Sequence, residues 1–292
     1  GAGYYVSRHG FGYSVFEHME GGIRSELTVY VDVDAAIKFS VLKVRNESGQ
    51  ARKLSATGYV EWVLGDLRPK SAMHVITEID PHSGAIFARN PYNTEFTGLI
   101  AFFDADDASR TISGDRAEFI GRNGTLRNPA AMARSRLSGK VGTALDPCAA
   151  IHVSFELADG QEREITFRLG LAGRRGTDDA SKLVQRFRGS AAARDALEAV
   201  YQYWNHTLGA VQVETPDPSL NVLANGWLVY QTLACRLWAR SGYYQSSGAF
   251  GFRDQLQDTM ALVHTEPQRL RAQLFLCASR QFLEGDVQHW WH

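Results

Sequence analysis

Cysteine is scarce in this chain: only Cys148, Cys235 and Cys277 occur among 292 residues, far apart and in no CxxC spacing. An odd, scattered set excludes a disulfide framework and a structural zinc site, and favours a reducing, cytoplasmic compartment. A surplus of charge of one sign is also missing. The 31 Lys and Arg against 32 Asp and Glu leave a formal net charge of −1, so no basic field exists to neutralise phosphates and no nucleic-acid partner is expected. No run approaches the roughly 18 apolar residues of a membrane span, and no basic-then-apolar leader opens the chain. His9 and His18, with Glu17 nearby, fall outside any metal-ligand spacing, so no metal is expected. GxSxG, Walker and Cys–His nucleophile patterns are absent as well. What is present, 44% hydrophobic and 22% charged residues, predicts an ordinary soluble globular protein with room for two domains.

Both ends read as cut. YYVSRHGFGY (4–13) is already strand and turn, and the chain stops at GDVQHWWH just after a strong helical pattern. We therefore expect a fragment of a longer chain. From residue 23 to 64, apolar and polar residues alternate, as in Leu27, Val29, Val31 and Val33, with NESGQ as a turn. Further strand-like runs follow at GAIFARN, FTGLIAFFDAD, AEFIGRN, AAIHVSFELA and REITFRLGLAG, separated by turn clusters such as DPHSG and ADGQE. Many strands over about 170 residues predict a large antiparallel β-sandwich, assigned to residues 1–177.

The period changes near residue 178. Few β-branched residues, early acids, and Leu197, Val200 and Trp204 at helical spacing predict one or two linker helices over 178–212. In TPDPSLNVLANGWLVYQTLACRLWAR, Asp217 can cap, Pro218 suits the first helical position, and Leu220, Leu223, Trp227, Tyr230, Ala234 and Leu237 form one face. Trp204, Trp227 and Trp238 are expected in the core. A second helix near 254–264 and a third from Pro267 to about Phe282, ended by Gly285, complete residues 213–292 as the start of an α-helical bundle or toroid.

SSGAFGFRDQLQD (246–258) is the motif that carries chemistry. Asp254 and Asp258 share a helix face and repel, and Arg253 opposes the helix dipole at that end, so local stability does not explain the cluster. Its inventory suits a sugar: carboxylates accept from vicinal hydroxyls, the amides Gln255 and Gln257 give and take, and a guanidinium donates in a planar fork. Arg240 followed by Gly248 and Gly251 offers a cation beside exposed backbone N–H groups, a combination that holds phosphate. Trp290 and Trp291, after Gln288 and His289, have a sugar-stacking composition. NPYNTEF (90–96) reads as a structured loop. A solvated helix start with an Arg–Asp surface pair would also produce RDQLQD.

RHGFGYSVFEH (8–18), TGYVEWVLG (57–65), NPYNTEFTGLIAFF (90–103), GAFGFRDQLQD and EGDVQHWWH together resemble the glycoside phosphorylases of glycoside hydrolase family 94, over essentially the whole chain. The branch most similar handles β-1,2-linked glucan, either as a free phosphorylase or as a module of a larger membrane-bound synthase anchored in the inner membrane. The resemblance implies an N-terminal β-sandwich, linker helices and an (α/α)6 toroid. It implies inverting phosphorolysis of a β-linked glucose oligosaccharide, with inorganic phosphate as co-substrate, no cofactor, and pairing into a homodimer. Carried over by motif, Arg253, Asp254 and Asp258 would hold the glucosyl unit, with Asp258 the more important acid. Arg240 would hold phosphate, and Gln288, His289 and Trp290 would line the cleft. The family's general acid lies in a GDWND-like motif that does not occur in these residues, so a fragment inactive alone is implied. A hydrolase on the same plan, or a non-catalytic carbohydrate-binding or dimerisation module, are the competing readings.

Overall fold

Alternation of apolar and polar side chains becomes, in the computed structural model, a set of antiparallel strands; the structure describes residues 3–94, 97–173, 176–240 and 248–291. In chain order they are β1 (Tyr5–Gly10), β2 (Tyr13–Glu20), β3 (Ile23–Val31), β4 (Ile37–Asn46) and β5 (Arg52–Glu61). Helix α1 (Arg68–Ser71) precedes β6 (Ile76–Ile79), β7 (Ile86–Arg89), β8 (Ile100–Ala105) and β9 (Thr111–Asp115). Helix α2 (Arg116–Ile120) then leads to β10 (Pro147–Leu157) and β11 (Glu162–Ala172). Eight strands form one sheet in the order β1-β2-β3-β4-β11-β8-β7-β6, and three form a second, β5-β10-β9. The large antiparallel sheet followed by helices is the architecture expected.

The core lies between the sheets. Ala149, Ile151, Val153, Phe155 and Leu157 of β10 face Val44, Ile86, Ala101, Phe103, Ile165 and Phe167 of the larger sheet. Burial of this kind stabilises by roughly 25 cal/mol per Å² of apolar surface. Gly58 makes the approach possible, since a Cβ there would meet Phe167 at 2.5 Å and Phe103 at 2.7 Å. Behind β10, Ala150 packs with Phe119, Ile120, Ala131 and Leu137, so part of this strand is covered on both sides.

One strand expectation fails. AEFIGRN is not extended: Asp115 accepts from the backbone N–H of Ala117 (3.1 Å) and Glu118 (3.4 Å), starting α2, and Gly121 at φ 88° ends it. An N-cap acid and a left-handed glycine outweigh a five-residue alternation.

Two turns also do more than the sequence suggests. NESGQ joins β4 to β5 and ADGQ joins β10 to β11, yet each turn carries the chain from one sheet to the other. Both are fastened to Asn46, which is fully buried. Its Nδ2 donates to the carbonyls of Gln50 (2.7 Å) and Leu157 (2.9 Å), and its Oδ1 accepts from the Ser48 N–H (3.1 Å) and hydroxyl (2.7 Å). Asn46→Ala is expected to cost about 2–4 kcal/mol, because buried carbonyls lose their donors. A urea midpoint unchanged within error would show that the corner holds without it.

Two helices, α3 (Thr177–Arg186) and α4 (Ser190–Gly209), follow the sandwich. On α3, Ala180, Ser181 and Val184 are buried, and Ser181 donates to Asp80 at 2.7 Å. Phe187, just beyond it, meets Phe39 edge-on at 5.8 Å, and the Tyr30 hydroxyl donates to the Ala193 carbonyl at 2.5 Å. These contacts cover one outer face of the eight-stranded sheet. The chain divides into two units, Gly1–Val200 and Tyr201–His292, with the division inside α4.

In the second unit, α5 (Pro218–Val222) runs through a π-helical stretch (Leu223–Trp227), α6 (Leu228–Gln231) and a second π stretch (Thr232–Trp238). Asp217 caps α5 through the Ser219 N–H at 2.9 Å, with Pro218 at the first position. Next come β12 (Phe250–Gly251), α7 (Phe252–Thr259), α8 (Pro267–Ala278) and β13 (Trp290–Trp291). Helix α8 ends at Ala278, not near Phe282: the Phe282 N–H bonds to the Asp286 carbonyl (2.9 Å), which turns the chain back around Gly285 at φ 99°. Trp204 is buried against Tyr230 (4.6 Å) and Trp238 (5.5 Å), but Trp227 and Trp238 are 48% and 44% exposed, contrary to the core expectation. A helical stripe fixes which residues share a face; it does not supply the partner that covers them. Among the described residues, no helix is long and apolar enough to cross a membrane, and no cluster of three or more His, Cys, Asp or Glu is placed to hold a metal.

Candidate carbohydrate site

Helix α7 begins where two remote segments meet. Strand β12 pairs with β13 in the register Phe250↔Trp291 and Gly251↔Trp290, and the Phe252 N–H donates to the His289 carbonyl at 3.1 Å. The first N–H of α7, which has no partner within its own helix, is thereby satisfied from the QHWW segment. The sequence put FRDQLQD and QHWW on one list of sugar-compatible groups; the ribbon brings them to one place. It also separates the two tryptophans, because neighbours on a strand face opposite ways. Trp291 is buried and stacked on Phe250 (5.5 Å, 9°), whereas Trp290 is 43% exposed.

Two arginines bracket that aromatic pair. The Arg240 guanidinium lies 4.4 Å from the Phe250 ring centre and that of Arg280 lies 5.4 Å from Trp291. Arg240 has φ 48°, a left-handed geometry uncommon for a side-chain-bearing residue, and its Nε donates to the Gly248 carbonyl. Arg280 accepts the Gln288 N–H on its carbonyl at 2.9 Å, tying the returning segment to the end of α8. Cation–π contacts of this kind contribute about 0.5–2 kcal/mol each. Gly248 adopts φ 76°, and residues 241–247 of the proposed phosphate loop lie outside the described residues.

Along α7 the polar residues divide by role. Gln255 is fully buried; its Oε1 accepts from the Gly251 N–H (3.3 Å) and its Nε2 reaches the Arg236 carbonyl (3.5 Å). It serves the helix start and is withdrawn from the sugar inventory, while Gln257 remains exposed. Asp258 pairs with Arg236, Nε to Oδ2 at 2.7 Å, both side chains about a quarter exposed (30% and 26%). Asp254 sits 3.5 Å from Arg253, whose side chain is 85% exposed. The repulsion between the two acids is therefore met by a separate guanidinium for each. Arg253 and Asp254 form a loose surface pair of little stabilising value; Asp258 and Arg236 form the tighter one.

Sequence reasoning missed Arg236 and Arg280. Arg236 had a readable signal, since it stands four residues before Arg240 in the helical pattern of TPDPSLNVLANGWLVYQTLACRLWAR, although the helix ends at Trp238 and Arg240 lies beyond it. Arg236 also lies in the second π stretch, a local widening common at functional sites. Arg280 had no such signal, being an isolated cation at the foot of a helix.

A sandwich of antiparallel sheets followed by helices, with sugar-compatible side chains gathered at one helix start, defines a carbohydrate-active architecture of the sandwich-and-toroid type. The chain belongs to the glycosyl hydrolase 94 family: residues 1–190 match its supersandwich domain and residues 203–292 its superfamily catalytic domain. It is 41% identical over 98% of its length to a cyclic beta-(1,2)-glucan synthase, NdvB, of Rhizobium meliloti (strain 1021), covering 10% of that protein. It is 28% identical over 93% of its length to an N,N'-diacetylchitobiose phosphorylase of Vibrio furnissii, covering 34% of it. The chain thus spans about a third or less of these relatives. In fold it is similar to a bacterial glucoamylase, with a TM-score of 0.57 at 9% identity, covering 98% of this chain and 43% of that one.

Proposed function

We propose that this chain is the sandwich and the head of the catalytic toroid of an inverting glycoside phosphorylase acting on β-1,2-linked glucan. Phosphate would attack the anomeric carbon from the face opposite the leaving oxygen. A carboxylic acid would protonate that oxygen, giving α-glucose 1-phosphate and a shortened glucan. Asp258, Arg253 and Asp254 hold the glucosyl ring in this reading, with Gln288, His289 and Trp290 beside it and Arg240 toward phosphate. The proton donor belongs to residues beyond these 292, so the chain alone has no turnover. In the longer protein it is a free phosphorylase or a chain-length-trimming module of a membrane-anchored synthase, working in the cytoplasm and pairing through the sandwich.

The observation that carries the reading is the ribbon that brings QHWW to the first turn of α7. The β-1,2 linkage draws its support from the 41% identity to a cyclic beta-(1,2)-glucan synthase. The test is release of sugar phosphate from linear β-1,2-glucan by this chain and by a longer protein that contains it. The longer protein is expected to release α-glucose 1-phosphate only when phosphate is added, and the 292-residue chain none. Release of free glucose without phosphate would make the protein a hydrolase instead.

A further inference from the structure

We propose that Tyr92 and His74 form a second sugar-binding platform, on the sandwich unit, that stacks one pyranose ring of a glucan chain. The identity of the glucan rests on the reading above; the platform itself does not. Tyr92 is 73% exposed, and its ring lies parallel to the imidazole of His74 at 4.2 Å and 11°. A single exposed tyrosine is ordinary. A tyrosine backed by a second ring, on a segment fixed at several points, is a prepared surface.

The fixing begins in the sheet. Strands β6 and β7 pair at Ile76↔Arg89, and His74 and Tyr92 lie just outside this last rung, so the ladder sets their separation. Asn90 then locks the exit from β7. Its Nδ2 donates to the Leu64 carbonyl (2.8 Å) and its Oδ1 accepts the Tyr92 N–H (3.0 Å). Further along, the Asn93 N–H bonds to the Asn90 carbonyl (3.3 Å), and the Thr97 hydroxyl to the Asn93 carbonyl (2.8 Å). Tyrosine offers a large rigid face at low entropic cost, and a segment held in place before binding lowers that cost further.

The chemistry of the rim selects the ligand. A pyranose presents a C–H face to an aromatic ring and hydroxyls at its edge. At the edge of the platform the Tyr92 phenol gives and accepts hydrogen bonds, and Thr94, two residues on and also exposed, carries a hydroxyl that can do the same. An apolar peptide would leave those groups unused.

The test is affinity electrophoresis of the 292-residue chain in gels containing linear β-1,2-glucan, an α-1,4-glucan, or no glycan, with a proline-rich peptide titrated separately. Tyr92→Ala should weaken glucan binding by about 5- to 10-fold, the scale of one aromatic contact, while Tyr92→Phe keeps most of it. Both are surface changes, and equal melting temperatures would confirm intact folding. Arg253→Ala should leave the Tyr92-dependent part in place. Binding to the α-glucan alone, still dependent on Tyr92, would uphold the platform and count against the β-1,2 reading. Affinity unaffected by Tyr92→Ala, no retardation by either glucan, or Tyr92-dependent binding of the peptide but of no glucan, would each overturn the platform.

Discussion

Arg168→Met should lower the melting temperature of this protein by about 6–20 °C, the largest stability loss expected from any single side chain described here. Arg168 and Asp104 are both fully buried. The Arg168 guanidinium donates through Nη2 to Asp104 (2.8 Å), through both terminal nitrogens to Asp106, and through Nη1 to the Phe187 carbonyl (3.0 Å). Burial alone would lower the pKa of Arg168, but its bonds to Asp106 and Asp104 hold it above the ordinary value, so it stays charged. Breaking such a buried pair costs about 3–5 kcal/mol, and each kcal/mol moves the midpoint of a domain this size by about 2–4 °C. Arg188 and Arg110 also reach Asp104, at 2.9 and 3.5 Å, so the acid is not left without a cation. What goes is the tie between β11, the turn after β8, and the corner from α3 to α4, where the Gly189 N–H also bonds to Asp106 (2.9 Å). Arg168→Lys should fare little better, since an ammonium cannot serve two carboxylates and a carbonyl as a planar fork does. A drop below about 2 °C would mean that the corner is held by apolar packing alone.

That network also marks where the sequence stopped being readable. In REITFRLGLAG, alternation places Thr166, Arg168 and Gly170 on one face, and a face bearing arginine reads as solvated. Only the arrival of α3 and α4 turns it into an interior, and nothing local announces that arrival. The strands themselves were legible because a period of two survives any partner choice. Partner choice was not, since NESGQ and ADGQ have the composition of hairpin turns whether the chain returns to the same sheet or crosses to the other. The resolving residue, Asn46, looks like any turn asparagine until its burial is seen. AEFIGRN was lost to the same ambiguity at short length, and its signals, Asp115 before it and Gly121 within it, stood in the sequence throughout.

At the site, residue types were legible and roles were not. RDQLQD announced itself through charges that no isolated helix would choose, yet four polar side chains there do four different things. Gln255 closes the helix start, Asp258 binds Arg236, Arg253 reaches into solvent, and Asp254 accompanies it. Sequence spacing puts Asp254 and Asp258 on the same footing, and the family resemblance favours Asp258 without a physical reason; the position of Arg236, in a different helix, supplies one.

Asp258→Ala is accordingly expected to cost about 10²-fold in kcat/KM for phosphorolysis by a longer protein containing this chain, and Asp254→Ala less than about 5-fold. A carboxylate accepting from a sugar hydroxyl contributes about 1.5–3 kcal/mol per hydrogen bond, and one tenfold change is about 1.4 kcal/mol. Arg236 fixes one oxygen of Asp258 at 2.7 Å, which orients the carboxylate before substrate arrives and spares that cost on binding. The contact of Asp254 with Arg253 is longer, 3.5 Å, and the guanidinium that makes it is itself 85% exposed, so it orients its carboxylate less firmly. Arg236→Ala should therefore reproduce part of the Asp258 loss, chiefly in KM, because it loosens the acid without removing it. Asp258→Asn should fall between wild type and alanine, keeping one acceptor oxygen but not the charge. Melting temperatures of all four variants would separate misfolding from lost binding. Equal losses at Asp254 and Asp258, or a larger one at Asp254, would reverse the assignment of the sugar-holding acid and leave the Arg236 pair a structural contact.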